Sequence, residues 1–406
     1  MLLCKYVHIR FLYCEGATVK KRNKNQEFEN IEEVTVKSAE PENDEVKKDN
    51  AALKAEKAEK KKVKKMKRRK RQRFWDRIAG FIIVTVLVGG CACLGLEYII
   101  LKGPSPALRD MFVSTMDETR RFRFVPQIFL TADELNEIRA SAEMSTDIST
   151  DTTMINVASK IENVQSDNHT DAYGLVDEDG DGIIFKDIKG NGFVGYMTIV
   201  LDPTRVFVGM PDEYGGVGLT LEGMVKKYDA LGGINAGGFK DDGGGGLGGM
   251  PEGLTIVDGV CYNSDSGVTE GFCGLDKDGI LHVGFYTYDD CVASNIVNGV
   301  SFGPILISNG VQTDPEYFSS SVNPRTAIGQ RADGAIIMLV IDGRQAHSIG
   351  ARYQDVIDIM LDHGAVNACN MDGGSSTVMY YEGRYVNSCS AENGQPRPLP
   401  NAFLFK

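Results

Sequence analysis

One apolar stretch near the N-terminus constrains this chain more than any other feature. The run IAGFIIVTVLVGGCACLGL, residues 78–96, holds 19 uncharged and mostly apolar residues, and residues 99–101 add three more. At a rise of 1.5 Å per residue, about 20 apolar residues cross a hydrocarbon layer of ~30 Å. Trp75 and Tyr98 flank the run, as aromatic residues do at membrane interfaces. The sequence therefore predicts a single transmembrane helix over residues 78–101, with a cleaved signal peptide as the alternative.

The basic residues around this helix predict its orientation. The run KKKVKKMKRRKRQR, residues 60–73, precedes it, whereas only Lys102 and Arg109 follow closely. Because cytoplasmic flanks carry the excess of Lys and Arg, residues 1–77 are predicted to be cytoplasmic and the rest extracellular. The leader is highly charged with few apolar residues, so we expect disorder over residues 20–65. Met66 opens a conventional basic signal anchor and is an alternative start, which leaves open whether residues 1–65 belong to the protein.

Charge separates the leader from the remainder of the chain. Residues 1–77 carry a net charge of +10 and residues 78–406 carry −22, which together give the overall −12. Duplex affinity comes mainly from Lys and Arg that neutralise phosphates. A large domain this acidic is therefore not expected to bind nucleic acid. The sequence carries no signal for oligomeric state.

Five cysteines lie beyond the apolar run. An odd number in an exported domain leaves at least one unpaired, and no C-x-x-C motif supports a zinc ribbon or a thioredoxin site. Cys261–Cys273 and Cys369–Cys389 are two candidate bridges.

Four segments follow one another from the apolar helix to the C-terminus. Residues 102–145 are predicted to form a juxtamembrane helical spacer, in which TADE at 131–134 fits a capping box. Residues 146–172, rich in Ser, Thr, Asp and Asn, are predicted to be a linker. Residues 173–406 form the predicted globular domain. Its many short β-like runs outnumber two amphipathic helices, 219–232 and 351–364, each ending in glycine. We predict an α+β fold with a mixed β-sheet and flanking helices.

The stretch NMDGGSSTVMYY, residues 370–381, is the densest candidate site. Asp372 follows a predicted buried strand, at the carboxyl end where such sheets usually place ligands. Gly373 and Gly374 permit positive φ, and their N–H groups together with the hydroxyls of Ser375 and Ser376 can meet an anion. A tight hairpin with an Asx-turn is the alternative.

Two further motifs supply matching chemistry. NPRTAIGQ places Arg325 and Thr326 before a turn, and IDGRQAHS places Asp342, Arg344 and His347 at the end of the next strand. Arg is suited to bidentate phosphate contacts, which predicts an anion site, with Arg397 as a further contributor and structural salt bridges as the alternative. GGINAGGF adds Asn235, flanked by glycines.

The run DEDGDGIIF suggests calcium. Asp177, Asp179 and Asp181 occupy the first three ligand positions of an EF-hand loop, but Ile188 stands where a bidentate Glu is needed. A turn into the next strand is the favoured interpretation and a Ca²⁺ site the alternative. No other cofactor is expected.

Together, GGINAGGF, NPRTAIGQ…VIDGRQAHSIGA and NMDGGSSTVMYYEG…PNAF resemble the phosphodiester glycosidase domain family. The resemblance covers roughly residues 190–406, and the layout is similar to that of membrane-anchored bacterial members associated with exopolysaccharide genes. One departure is DGGSS, where many members carry an additional glycine.

The resemblance implies an extracellular hydrolase that cleaves sugar-1-phosphodiester linkages in cell-surface or exopolysaccharide glycans. Asp372, Asp342 and Asn235 are the implied catalytic residues. The implied substrate-binding residues are Arg325, Thr326, Arg344, Gly373, Gly374, Ser375, Ser376 and His347. Two alternatives stay open: a non-catalytic module that binds phosphorylated glycans, and a metal-dependent phosphodiesterase that uses Asp342 and Asp372.

Overall fold

The computed structural model describes most of the chain with several gaps. The described residues are 44–118, 122–140, 148–157, 170–171, 173–240, 247–263, 271–313, 321–391 and 393–406. By internal packing the chain divides into two units, Met1–Val86 and Leu87–Lys406, and each is described by itself.

Helix α1 runs from Asp44 to Lys102 and contains the predicted membrane span. Its segment Leu53–Lys102 is long and apolar enough to cross a membrane, and most of its large apolar side chains are exposed, whereas Leu101 is buried. The helix contradicts the predicted disorder over residues 44–65, whereas residues 20–43 lie outside the described residues. The charged segment is helical because Ala, Glu and Lys are strong helix formers, and Glu56 pairs with Lys60 one turn later.

Among the described residues of the segment 102–145, which the sequence predicts to be helical, two short α-helices follow α1. They are α2 (Pro106–Glu118) and α3 (Ala132–Ala140). The predicted capping box is present: the Thr131 N–H donates to Glu134 Oε2 at 2.8 Å, and the Glu134 N–H donates to Thr131 Oγ1 at 3.2 Å. A small apolar cluster that includes Leu101, Val113 and Leu135 packs these helices together.

The described part of residues 173–406 holds seventeen strands in three sheets. In chain order they are β1 (Ile183–Gly190), β2 (Phe193–Val200), β3 (Val206–Gly209), β4 (Gly232–Asn235), β5 (Thr255–Val257), β6 (Val260–Cys261), β7 (Phe272–Asp276), β8 (Leu281–Gly284), β9 (Ile296–Ser301), β10 (Ile305–Ser308), β11 (Val311–Gln312), β12 (Arg325–Arg331), β13 (Ile336–Ile341), β14 (Ala365–Met371), β15 (Met379–Tyr381), β16 (Arg384–Tyr385) and β17 (Ala402–Phe405).

The first sheet has the order β1-β2-β13-β12-β14-β10-β11, the second β16-β15-β4-β17-β3, and the third β6-β5-β9-β7-β8. The α+β class is confirmed. Instead of one mixed sheet, however, the described strands form three sheets in which the pairings are antiparallel. Short turns join neighbours such as β1 with β2 and β12 with β13, and antiparallel pairing is the arrangement that a short turn allows.

In the described part of residues 173–406, three α-helices accompany the sheets: α4 (Leu221–Tyr228), α5 (Tyr288–Ala293) and α6 (Tyr353–Asp362). Helix α4 ends earlier than predicted, at Asp229 with φ 51°, because Gly232 already belongs to β4. A Cβ at Gly232 would lie 2.5 Å from the Tyr380 carbonyl oxygen. Helix α6 ends as predicted, with Gly364 at φ 81°.

The central strands of the first sheet are buried on both faces. One face packs against α6 through residues such as Leu339, Ile357 and Met360. The other face packs against the second and third sheets, and Ile328 and Met371 lie in that core. The beginning of β12 and the end of β14 therefore lie inside a layered structure, beside the end of β4.

Part of the predicted linker packs on the domain. The Thr150 hydroxyl accepts the Val283 N–H at 2.8 Å. Asp171 bonds the buried Arg331 at 2.5 Å, Asp333 pairs with the same guanidinium, and the Tyr173 ring lies 4.1 Å from it. The domain therefore includes residues on the N-terminal side of 173. Residues 146–147, 158–169 and 172 lie outside the described residues.

The cysteines in the described residues are free thiols, and neither candidate bridge forms. Cys369 is buried in the core against Cys273, whereas Cys389 lies near the surface and its thiol faces the Ser375 carbonyl at 3.5 Å. Burial raises the pKa of the Cys291 thiol to about 12.

Protonation of His363 is expected to lower the stability of the folded protein in mild acid. Its Nδ1 lies 2.7 Å from the Ile359 carbonyl and must carry the proton, so Nε2 accepts from Lys186 Nζ at 3.0 Å. Burial lowers the pKa of His363, so its contribution to stability is present above the unfolded pKa of about 6.5 and is lost as pH falls. We expect the melting temperature to fall between pH 7.5 and 5.5, and to fall less in His363→Gln. Equal losses in both proteins would contradict this role.

Candidate active site

The turn that carries Asp372 is held against the end of β4. The Asp372 N–H donates to the Ala236 carbonyl at 2.9 Å, and Asn235 Nδ2 donates to the Asp372 carbonyl at 2.6 Å. Asn235 of the GGINAGGF motif and Asp372 of the DGGSS motif are 137 residues apart in the chain and are in direct contact in the structure. The sequence analysis had placed both residues in one site. The Asp372 residue itself is half-buried.

Asn235 and Thr326 form the buried support of this turn. Asn235 Oδ1 accepts the Thr326 hydroxyl at 2.8 Å and the Val378 N–H at 3.1 Å, in addition to the Nδ2 bond described above. Both residues are completely buried. Because their polar atoms are bonded within the protein, they position the turn, whereas the sequence suggested catalytic and substrate-binding roles.

The two glycines after Asp372 are required by close contacts. A Cβ at Gly373 would lie 2.7 Å from the Pro324 carbonyl oxygen, which also accepts the Gly374 N–H at 3.0 Å. Gly374 has φ 60°, a conformation that favours glycine, and a Cβ there would lie 3.2 Å from the Arg344 guanidinium. A 3₁₀ turn over Gly374–Ser376 continues the segment and buries Ser376.

Two guanidinium groups flank this turn. Arg344 lies beside Gly374 and donates to Asn323 Oδ1 at 2.8 Å. Arg397 donates to the Ser375 hydroxyl at 3.3 Å and stacks on the Phe239 ring at 4.4 Å. Their positive charge, next to a glycine-rich turn, suits a phosphate or another anion.

Arg325 has a different position from the one predicted. It is buried, its Nε donates to the Ala351 carbonyl at 3.1 Å, and it donates to both oxygens of Ser321 at 2.7–2.8 Å. Its guanidinium also stacks on Tyr353 at 3.7 Å. Consecutive strand residues point to opposite faces, so Arg325 lies on the α6 side of β12 and Thr326 on the side of β4. Its described contacts make Arg325 a structural residue.

Asp342 and His347 form a second polar group on the same side of the fold. Asp342 is fully buried; its Oδ2 lies 3.0 Å from His347 Nε2, and its Oδ1 accepts from Asn387 and the Ser388 N–H. The His347 side chain is 47% exposed. Burial and, to a smaller extent, the negative charge of Asp342 raise the pKa of the neighbouring Tyr196. Asp342 thus orients a solvent-facing imidazole.

The segment 387–390 joins this pair to the Asp372 turn, and sequence reasoning missed it. Asn387 bridges Asp342 Oδ1 at 3.2 Å and the Thr377 carbonyl at 3.1 Å, and the Ser390 hydroxyl donates to the Gly374 carbonyl at 3.0 Å. The only available signal was the short polar run NSCS after β16.

The three aspartates of the candidate calcium loop do lie together. Oxygens of Asp177, Asp179 and Asp181 lie within 4.8 Å of one another. Asp177 accepts the N–H groups of Gly180 and Gly182 at 3.0 and 2.9 Å, which closes the turn into β1. Ile188, at the twelfth position, is buried in the sheet and supplies no ligand. Calcium binding stays the untested alternative to this turn.

The comparisons with known proteins agree with these motifs. Residues 228–406 match the sequence model of the phosphodiester glycosidase family. The family resemblance is confirmed. The matched region, residues 228–406, contains β4, both flanking arginines and the Asp372 turn.

Three known proteins are similar to parts of this chain. The SPbeta prophage-derived uncharacterized protein YomE of Bacillus subtilis is 28% identical over 202 residues, covering 47% of this chain and 29% of that protein. N-acetylglucosamine-1-phosphodiester alpha-N-acetylglucosaminidase of Mus musculus is 27% identical over 218 residues, covering 48% and 41%. The zebrafish enzyme of that name, solved as a catalytic domain auto-inhibited by pro-peptide, is 25% identical with a TM-score of 0.47, covering 55% and 81%. This chain spans less than half the length of either curated relative.

Proposed function

We propose that this protein is a membrane-anchored hydrolase that releases a sugar from a sugar-1-phosphodiester outside the cell. The observation that carries the proposal is the Asp372 turn, flanked by the guanidinium groups of Arg344 and Arg397. The match of residues 228–406 to phosphodiester glycosidases supports hydrolysis as the reaction.

The arginines would bind the phosphate of the substrate. A sugar phosphodiester breaks to give a phosphomonoester, which is a good leaving group once its charge is stabilised. Arg344, Arg397, the Ser375 hydroxyl and the backbone of Gly373 and Gly374 provide that stabilisation. The sequence had suggested this role for Arg325 together with Arg344, Ser375, Ser376 and the glycine N–H groups. In the present proposal Arg397 replaces Arg325.

Asp372 would act on the sugar side of the scissile bond. Asp372 directly precedes Gly373 and Gly374 of the turn that would bind the phosphate, so a substrate held there would bring its anomeric carbon close to this residue. A carboxylate in this position either activates water or stabilises a positively charged sugar.

His347 would transfer a proton, oriented by Asp342. Because Nε2 faces the Asp342 carboxylate at 3.0 Å, that nitrogen carries the hydrogen in the neutral ring and Nδ1 is left as an acceptor. Asp342 itself is enclosed by His347, Asn387 and Ser388. We therefore assign Asp342 an orienting role.

The positions of possible metal-ligating side chains favour hydrolysis without a metal over the metal-dependent alternative. Among the described residues, the group of three close metal-compatible side chains is Asp177, Asp179 and Asp181, and it includes neither Asp342 nor Asp372. A binding module without catalysis would be weakened by placing a carboxylate in an anion site, which favours the enzyme.

The proposed location follows from α1. The helix could cross a membrane, and the basic residues before it would keep the N-terminus in the cytoplasm and place the hydrolase domain outside. The substrate would then be a glycan at the cell surface or in exopolysaccharide. The names of the mammalian relatives make an N-acetylglucosamine-1-phosphodiester the first substrate to test.

Removing either flanking guanidinium should weaken substrate binding. For Arg344→Gln and Arg397→Gln we expect kcat/KM to fall by about 10- to 100-fold, since each loses a charge-assisted bond of ~1.5–3 kcal/mol. Steady-state kinetics of the full chain in detergent would measure this. Arg352→Gln is the matched control, because Arg352 is exposed and pairs with Asp355 on α6. Unchanged kinetics in both test variants would contradict the anion site.

A further inference from the structure

A cleft of about 750 Å³ lies outside the candidate active site, between residues 148–152 and the third sheet. Clefts of roughly 300–1,000 Å³ are the size that binds small ligands in proteins. An aromatic ring and several hydroxyl groups line it, those of Phe285, Ser149, Thr152 and Ser294. The proposed hydrolysis makes no use of this space.

One wall of the cleft is a segment that hydrogen bonds fix to the domain. The Thr150 hydroxyl accepts from the Val283 N–H, and the Asp151 N–H donates to Asn309 Oδ1 at 2.7 Å. Asn309 Nδ2 in turn donates to the Ser149 carbonyl at 2.8 Å. The cleft is therefore formed by the folded chain itself and does not need a ligand to shape it.

The inner side of the cleft is a chain of polar side chains. Asp276 Oδ2 lies 3.1 Å from His282 Nε2, and His282 Nδ1 lies 3.4 Å from the Tyr286 hydroxyl. Burial acts to raise the pKa of Asp276, but hydrogen bonds from His282 and from the N–H groups of Ile280 and Asp278 outweigh it, so the pKa is lowered. Because Asp276 is ionised, Nε2 carries the hydrogen of the neutral ring and Nδ1 accepts from Tyr286. The inner side is thus polar and held in one arrangement.

The charge of the cleft disfavours a phosphate ligand of the kind proposed for the Asp372 turn. Asp276 and Asp290 both line the cleft, and none of the described residues that line it is Lys or Arg. Asp290 is exposed, and its bonds from Thr287 all go to Oδ2, so Oδ1 can accept from a ligand. An uncharged sugar offers hydroxyls that donate to a carboxylate and a ring face that packs on an aromatic side chain such as Phe285.

The cleft lies towards the opposite strand ends of the first sheet from Asp372. The N–H of Leu281, the neighbour of His282, donates to Gln330 Oε1 at 2.6 Å, and the Leu281 carbonyl accepts from Asn367 Nδ2 at 3.3 Å. Gln330 lies near the end of β12 and Asn367 near the start of β14, whereas the candidate active site lies at the other ends of both strands. At about 3.4 Å per residue, the path along β14 from Asn367 to Asp372 spans about 17 Å. The cleft is therefore separate from the candidate active site.

We propose that this cleft is a second, non-catalytic binding site that takes an uncharged oligosaccharide. Asp290 and the hydroxyl groups of Ser149, Thr152 and Ser294 bond the sugar hydroxyls, and Phe285 packs on a ring face. The site does not depend on the proposed hydrolysis. In an active hydrolase it would hold a neutral stretch of glycan while a phosphodiester is cleaved at the Asp372 turn.

Titration calorimetry of the full chain, in a detergent without a sugar headgroup, tests this site. The probes are four uncharged trisaccharides: maltotriose, cellotriose, laminaritriose and chitotriose. Ala293→Trp is the blocking variant, because Ala293 is exposed and lines the cleft. Val292→Trp is the matched control, since Val292 is the adjacent exposed residue of α5 and is not among the described residues that line the cleft. Asp290→Asn removes the charge but keeps an oxygen for Thr287.

We expect at least one trisaccharide to bind wild type and Val292→Trp with equal affinity. Asp290→Asn should bind it about 10-fold more weakly, because a hydrogen bond to a charged group is lost. Ala293→Trp should show no binding, and thermal unfolding should show that each variant is folded. Arg397→Gln should keep the wild-type affinity, because Arg397 lies at the Asp372 turn.

Three results would overturn the proposal. The first is that wild type binds none of the trisaccharides, and the second is that Ala293→Trp binds as wild type does. The third is an equal loss in Ala293→Trp and Val292→Trp, because binding would then not depend on the cleft. Binding of spermidine in place of the sugars would likewise refute it and make the cleft a cation site. None of these results bears on hydrolysis, which the kcat of Asp372→Asn tests separately.

Discussion

Replacing Asp372 with Asn should abolish most hydrolysis of a sugar-1-phosphodiester without unfolding the protein. We expect kcat to fall by about 10²- to 10⁴-fold, the range typical for loss of a general acid or base. The melting temperature should change little, because the turn is held by the backbone of Asp372 through Ala236 and Asn235, and those bonds do not need the carboxylate.

Asp358→Asn is the matched control for this experiment. Asp358 is an exposed carboxylate on α6 that accepts from Gln354 at 2.8 Å, and its loss should alter neither kcat nor stability appreciably. If Asp372→Asn kept wild-type kcat, another group would have to act at the sugar. A large drop in melting temperature would instead make Asp372 a structural residue.

Breaking the buried ion pairs of Arg331 should produce the largest loss of stability. Arg331 is completely buried, bonds Asp171 and Asp333, and stacks under Tyr173. Arg331→Met would leave two carboxylates buried without their cation, which costs about 3–5 kcal/mol. In a domain of this size, each kcal/mol lowers the melting temperature by ~2–4 °C. Thermal unfolding should therefore show a decrease of roughly 6–20 °C.

Two comparisons sharpen this result. Arg352→Met removes an exposed pair and should cost at most about 1 kcal/mol. A chain that begins at residue 173 lacks Asp171 and Thr150, so it should be less stable than one that begins at residue 103. Equal stability of Arg331→Met and Arg352→Met would show that the buried pairs contribute nothing, and would contradict this account.

The position of the candidate site in the fold was predictable where its residues follow directly on a recognisable strand. DGGSS after an apolar strand located the Asp372 turn, and DGRQAHS located Arg344, His347 and Asp342 at a neighbouring strand end. Both predictions depend on where strands end and turns begin, and those boundaries are marked by neighbouring residues in the sequence.

The predictions that were wrong concern the direction of side chains and contacts between residues that are distant in the sequence. The sequence suggested that Arg325 and Arg344 both bind the substrate. Side chains alternate between the two faces of a strand, however, and Arg325 lies on the face of β12 that is directed towards α6. Asn387 reaches the site from a loop after β16 and carries no local motif. The disorder expected over residues 44–65 gave way to helix because composition alone does not weigh the helix propensity of Ala, Glu and Lys.

The products formed from a synthetic N-acetylglucosamine-1-phosphodiester test the central claim most directly. Purified full chain would be incubated with the substrate, with and without EDTA, and the products followed by ³¹P NMR and sugar analysis. Our account predicts free sugar and a phosphomonoester in equal amounts, insensitive to EDTA and lost in Asp372→Asn. Release of sugar 1-phosphate and free alcohol, or turnover that EDTA abolishes, would contradict it.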